Sequence, residues 1–158
     1  PLETCNTMNG MWGYKIMDQN YKDPETLIRY LVKAAGLGAN LLLNIGPQPS
    51  GALPAAALER LAEIGKWMKE NGETIYETEG SPFAAQSWGT STRKGNRLFL
   101  HVMTPENNAI LVPGNVNIKK AFEFRSGKKV RLTKAGDCTV VHLPEHESTP
   151  DFIIECEI

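Results

Sequence analysis

The chain has 158 residues, of which 41% are hydrophobic and 22% charged, and its formal net charge is −1. That length holds one domain or two small ones with a core of ordinary size. The charge is close to zero and scattered, which excludes a nucleic-acid-binding protein built on a basic stripe, and no run approaches the ~18 apolar residues of a membrane helix.

Pro1 stands where an initiating Met would, and no leader-like stretch follows it. The expectation is that a segment was removed or that this is one piece of a longer chain. Residues Leu2–Thr7 are compatible with a strand. The stretch from Pro1 to Tyr14 gathers a carboxylate (Glu3), a thiol (Cys5), two amides (Asn6, Asn9) and two aromatics (Trp12, Tyr14). Polar groups at the end of a buried strand, followed by an aromatic loop, suit the active-site face of an α/β barrel. A ring beside carboxylates and amides also suits a sugar, because the ring covers the apolar face of a pyranose while polar groups take its hydroxyls. The same residues allow a second reading, in which Trp12 and Tyr14 plug the loop onto the protein.

Asp23-Pro24 predicts a helix start, with Asp23 as the cap and Pro24 in the first position. Leu27, Ile28, Leu31, Val32 and Ala35 form one apolar stripe, and Gly36 and Gly38 end the helix. Leu41 to Leu43 is a continuous apolar run, which predicts a strand buried on both faces. Pro47, Pro49, Ser50 and Gly51 make a loop. A second helix begins near Pro54, carries Leu58, Leu61, Ile64 and Met68 on its apolar face, and stops at Gly72. This order predicts a parallel α/β arrangement. Two strands and two helices cannot close a sheet, so the region reads as the tail of a larger α/β domain.

The pattern changes near Ser81–Pro82. Seven strands are predicted beyond it: Gln86–Thr92, Arg97–Met103, Ala109–Val112, Ile118–Phe124, Lys129–Leu132, Thr139–Leu143 and Phe152–Ile158. Turn signals separate them, including Lys94-Gly95-Asn96, Pro105-Glu106-Asn107-Asn108 and Pro113-Gly114-Asn115. Short strands at this spacing predict an antiparallel sandwich. Two units result, residues 1–82 and 83–158. Lys119–Lys120 and Lys128–Lys129 read as solvated strand and turn positions.

Chemistry-bearing residues are few in the second unit. His101 lies inside a strand and is expected to face solvent or a small polar pocket. His142 and His146 are separated by Pro144 and do not share a helical face, so no metal site is expected. Cys5, Cys138 and Cys156 lack any zinc-like spacing and read as buried free thiols, although Cys138 and Cys156 are placed to pair across a sheet. Trp88 is the one aromatic that a glycan-binding sandwich could use, and its alternative reading is core.

Three motifs then carry a resemblance. Glu3-Thr4-Cys5-Asn6-Thr7-Met8-Asn9 with Trp12-Gly13-Tyr14 resembles the late-barrel signature of the family 29 α-L-fucosidases. Gly38-Ala39-Asn40-Leu41-Leu42-Leu43-Asn44-Ile45-Gly46-Pro47 is similar to that family's GGNLLLNIGP strand. Glu59-Arg60-Leu61, Ile64-Gly65-Lys66-Trp67 and Asn71-Gly72-Glu73-Thr74-Ile75-Tyr76 complete the set. The resemblance covers roughly residues 1–78; over 85–158 it is positional only.

It implies α/β plus all-β architecture: the last strands and helices of a (β/α)8-like barrel, then an antiparallel β-sandwich. Leu41–Ile45 would be the last barrel strand and Pro54–Glu70 the last major helix. The implied activity is retaining hydrolysis of terminal α-L-fucose from fucosylated oligosaccharides or glycoconjugates. The family's nucleophile is an aspartate on an earlier strand, so this chain needs a missing N-terminal barrel segment as its partner and is not expected to be active alone. Glu3 matches a motif glutamate once proposed as acid/base, and it could instead orient neighbours or brace the strand end. Leu2 stands where many relatives have Trp. Trp12 is implied as a substrate contact, packing on the fucose C5-methyl region; Tyr14, Asn40 and Asn44 read as structural. The general mechanism requires no metal or cofactor. The implied compartment is lysosomal in animals, and exported or periplasmic in bacteria. The alternative is a glycan-binding or purely structural sandwich module.

Overall fold

The computed structural model describes residues 2–105, 107–146 and 149–158. Pro1, Glu106, Glu147 and Ser148 lie outside the described residues, so the turn expected over Pro105–Asn108 is described only in part.

The first strand, β1 (Leu2–Thr7), pairs in parallel with β2 (Ala39–Asn44), with Leu2 opposite Ala39 and Thr7 opposite Asn44. Helix α1 (Pro24–Gly36) connects them. It starts as the sequence predicts: Asp23 accepts from Thr26 N at 2.7 Å and from the Thr26 hydroxyl at 2.8 Å. These two bonds hold the Asp23 carboxyl below its ordinary pKa. The chain leaves the helix through Gly38 at φ +71°, a conformation that favours glycine. Helix α2 (Ala55–Asn71) follows β2 and ends through a single 3₁₀ turn, Gly72–Thr74.

Both helices lie on one face of the β1–β2 pair. Met8, Leu27 and Ala57 are buried there, with Tyr21, Leu43, Ile45 and Ile64 packed against them. Strand alternation sends Glu3, Cys5, Asn40 and Leu42 to the opposite face. Among the described residues that face is uncovered, and Leu42 is 45% exposed. The expected two-sided burial of Leu41–Leu43 is therefore corrected: the helices supply one cover, and the described residues supply no second one.

The apolar face of α2 is also corrected. Leu58 and Leu61 are 52% and 37% exposed, whereas Ala57, Trp67 and Asn71 are buried. The buried stripe runs through Ala57, Ile64, Trp67, Met68 and Asn71. The two leucines lie beside it on the helix wheel.

The remaining strands form two antiparallel sheets. One has the order β3 (Gly89–Lys94), β4 (Arg97–Val102), β9 (Phe152–Glu157), β6 (Lys120–Glu123); the other runs β5 (Ala109–Val112), β8 (Cys138–His142), β7 (Arg131–Ala135). The expected strands appear with shifted ends. The run expected from Gln86 begins at Gly89, because Gln86 and Gly89 close a turn on each other. Leu98, Leu100 and Val102 of β4 pack with Ile154 and Cys156 of β9 against Ile110, Val112 and Val141 of the facing sheet. Trp88 belongs to this core, with its indole N–H donating to Leu111 O at 2.9 Å.

The other face of β4 and β9 sets an apolar patch among the polar residues Arg97, His101 and Glu155. Phe99, Met103 and Ile153 pack against Ile28 and Val32 of α1 and Trp67 of α2. The layers are therefore the β1–β2 pair, the two helices, the four-stranded sheet and the three-stranded sheet. Residues on both sides of position 82 share one apolar seam.

All three cysteines are free, and Cys138 and Cys156 lie in different sheets. Cys156 is buried as expected, and burial pushes its thiol pKa up to about 12, with the Glu155 charge adding to the shift. Cys5 is exposed, contrary to expectation, because its face of β1 is the uncovered one.

Phe99 is fully buried in the seam and meets Phe124 edge-on at 5.7 Å. Phe99→Ala is expected to cost about 3–5 kcal/mol in denaturant unfolding of the protein that carries this segment. A loss below about 1 kcal/mol would contradict a shared seam.

Candidate functional site

The richest cluster of polar and aromatic side chains lies where β1 and β2 end. The ladder extends one step past the strands, through Met8 N to Asn44 O at 3.0 Å. The chain then loops from Asn9 to Lys22 before returning to α1. Lys22 closes this loop from inside. Its Nζ donates to Thr7 O at 2.6 Å and Asn9 O at 3.0 Å, and its backbone N donates to Met8 O at 2.9 Å. The Thr7 hydroxyl also donates to Asn9 O, and Asn9 Nδ2 reaches Asp18 O at 3.4 Å. From α2, Arg60 Nε donates to Lys22 O at 3.1 Å. An ammonium shared between two carbonyls is a charge-assisted anchor that a neutral side chain does not replace.

The loop's first arm crosses the end of β2. Asn44 Nδ2 donates to Trp12 O at 2.6 Å. The peptide between Gly13 and Tyr14 rests on Gly46, where an added Cβ would lie 2.6 Å from Gly13 C and 3.0 Å from Tyr14 Cα. Trp12 is held by its backbone, while the residue as a whole is 55% exposed. Met11, Ile16 and Met17 are also exposed on this loop, so four large apolar side chains project from one rim. Asp18 Oδ2 is buried beside Gly10 with no hydrogen-bond partner among the described residues.

Glu3 lies elsewhere. It is the second residue of β1, exposed on the uncovered face, and it precedes Thr7 by four positions, about 13 Å of strand. The structure thus places Glu3 and Trp12 at opposite ends of β1 and does not bring them together.

The histidines are not at the rim. His101 is fully buried, with Nδ1 2.7 Å from Asp151 Oδ2 and Nε2 3.1 Å from Thr92 Oγ1. The Thr92 hydroxyl donates onward to Thr74 O at 2.6 Å, which ties β3 and β4 to the turn after α2. This is the polar-pocket alternative expected from the sequence. His142 meets Arg131 Nη2 at 2.8 Å and Thr133 Oγ1 at 2.9 Å, and His146 stacks on Phe152 at 4.1 Å. No group of three or more metal-ligating side chains occurs among the described residues.

Sequence reasoning missed the fasteners of the loop. Lys22 carries a faint signal, as the cation just before a helix cap. Asn44 reads as structural in the sequence, and its amide does serve a backbone carbonyl; its partner, and the part Gly46 plays, have no signal, because the partners lie some thirty residues away in sequence.

With this geometry in view, comparison with known proteins gives a consistent result. The Alpha-L-fucosidase family model matches residues 1–73. The tissue alpha-L-fucosidase of Mus musculus is 34% identical over 146 residues, which covers 85% of this chain and 30% of that protein. The plasma alpha-L-fucosidase of Rattus norvegicus is 43% identical over 79 residues, 48% of this chain and 17% of that protein. Among solved structures, alpha-L-fucosidase isoenzyme 1 of Paenibacillus thiaminolyticus superposes with a TM-score of 0.87 at 32% identity, covering 98% of this chain and 39% of that one. A GH29 alpha-L-fucosidase of Bacteroides thetaiotaomicron, solved as a trapped covalent intermediate, superposes with a TM-score of 0.88 at 25% identity, covering 98% and 37%. The chain thus spans less than a third of these two curated relatives.

Lys22→Met keeps the stem of the side chain and removes its ammonium. We expect faster amide hydrogen exchange across residues 9–22 and a stability loss of about 1.5–3 kcal/mol, the range for hydrogen bonds to charged groups. Unchanged exchange in the loop would show that Lys22 does not close it.

Proposed function

We infer function from one premise: this chain belongs to the α-L-fucosidase family, with close likeness to its solved members along nearly the whole chain. The protein carrying it is a retaining exo-glycosidase that removes terminal α-L-fucose from fucosylated oligosaccharides or glycoconjugates. Residues 1–82 are the end of its catalytic (β/α)8-like barrel and residues 83–158 its C-terminal sandwich. Three features support that division: the parallel β1–β2 pair, the helices on only one of its faces, and the exposed Leu42, Leu58 and Leu61 that further barrel elements would cover.

The observation that carries the reading is the Trp12 loop, fastened open at the C-terminal ends of two parallel strands. That end is where α/β barrels bind substrate. Trp12 packs on the C5-methyl of fucose; burying one methyl contributes about 1 kcal/mol and favours fucose over its 6-hydroxylated relative galactose.

The covalent intermediate trapped in the Bacteroides relative supports a retaining mechanism for this protein too. Such a mechanism needs two carboxyl groups about 5 Å apart, one attacking the anomeric carbon and one serving as acid and then base. The nucleophile is an aspartate in the N-terminal barrel segment, outside this chain, so the chain alone turns over nothing. Glu3 sits far from the rim, and that position supports a role bracing the start of β1 rather than transferring a proton.

No helix of the described residues is long and apolar enough to cross a membrane. A relative named as a plasma enzyme supports a lysosomal or exported one here. Burial of Trp88 favours a structural sandwich over a glycan-binding one.

Turnover of p-nitrophenyl α-L-fucoside by the full-length protein tests the reading, and no turnover above background would contradict it. Trp12→Ala is expected to raise KM about fivefold with a smaller change in kcat. Unchanged KM and kcat would remove Trp12 from the site.

A further inference from the structure

We propose that Asn44 and Gly46 are positioning residues for substrate binding, setting the height of Trp12 above the end of β2. The inference rests on the reading of Trp12 as a substrate contact and goes one step behind it. The ring of a half-exposed residue cannot be aimed by the packing around it; it is aimed by the backbone that bears it. Two contacts fix that backbone, one on each side of the bond joining residues 12 and 13.

The first is the Asn44 amide on Trp12 O at 2.6 Å. Asn44 is itself immobile, since its own carbonyl accepts from Met8 N at 3.0 Å and ties it to β1. One residue is thus joined to both barrel strands and to the aromatic loop. The second contact is Gly46, which is buried beneath the peptide of Gly13 and Tyr14. A Cβ there would lie 2.6 Å from Gly13 C and closer still to Tyr14 N, and both are backbone atoms that no rotamer change can move. Gly46 is not in the left-handed region. The demand for glycine is one of space: any side chain lifts the loop. From the other side the loop is unsupported, for a Cβ on Gly13 meets nothing within 4 Å. With the backbone of Trp12 seated on these two contacts, a change at either residue becomes a displacement of Trp12.

Asn44→Asp is close to isosteric and replaces the donor by an acceptor facing a carbonyl. Gly46→Ala adds the obstructing carbon. In the full-length protein, each is expected to raise KM for p-nitrophenyl α-L-fucoside about threefold, short of the roughly fivefold of Trp12→Ala because each acts through that ring, with kcat changed less than about twofold. Each should also raise acrylamide quenching of the Trp12 fluorescence, taken as the difference from Trp12→Phe. Lys129→Ala, at an exposed position of the sandwich far from the rim, serves as the control and leaves both readouts unchanged. If Trp12→Ala raises KM while Asn44→Asp and Gly46→Ala alter neither KM nor quenching, the positioning role is overturned. If the two variants change quenching while Trp12→Ala leaves the kinetics untouched, the positioning of Trp12 stands and its contact with substrate is overturned.

Discussion

Leu100 and Phe99 are adjacent in β4, face opposite ways, and are both wholly buried. A strand of this kind has to be covered on both sides, and that requirement organises the molecule. The three-stranded sheet covers one side; α1 and α2 cover the other. Polar contacts then fix the second cover in register. Arg29 of α1 donates to Pro150 O at 2.9 Å and to Met103 O at 2.6 Å, reaching the ends of the β9 and β4 segments together, and pairs with Glu25 at 2.8 Å. Gly36, near the end of α1, lies so close to Thr90 that a Cβ would be 2.7 Å from Thr90 Cγ2. The buried His101–Asp151 pair and its relay through Thr92 to Thr74 O close the far end of the seam.

From that seam the site follows in order. Helices held against the sandwich present their other face to β1 and β2. The ends of those strands hold the loop through Asn44, Gly46 and Lys22. The sandwich therefore acts on the rim at a distance, by fixing the layer on which the strands rest. Its one candidate glycan contact, Trp88, is spent on packing and on a bond to Leu111 O.

Much of this was legible because it is local. Asp23-Pro24 and Gly38 mark the limits of α1 within a few residues and do so through hydrogen bonds and a positive φ that the residue types dictate. Turn residues marked the gaps between the sandwich strands from β3 as far as β8. What was not legible is relational. Leu58 and Leu61 read as core, yet they face out, since periodicity gives an apolar stripe without saying which elements will cover it. The continuous run Leu41–Leu43 predicted two covers and the described residues provide one. The most apolar run, Arg97–Val102, was recognised as a strand, but nothing in it announced that one face would meet helices from the preceding unit. For the site, the motif residues drew attention to Trp12 and Glu3 together, and only the three-dimensional register separates them along β1.

A β4 buried on both sides makes helices and sandwich a single cooperative body across the seam. Native-state hydrogen exchange of the full-length protein tests this most directly, because it resolves cooperative units by their opening free energies. The slowest amides of α1, β4 and β9 are expected to exchange through one shared opening, with the same free energy and the same dependence on denaturant. If the sandwich amides instead open at lower free energy while α1 stays protected, the two units are independent, which contradicts a single body across the seam.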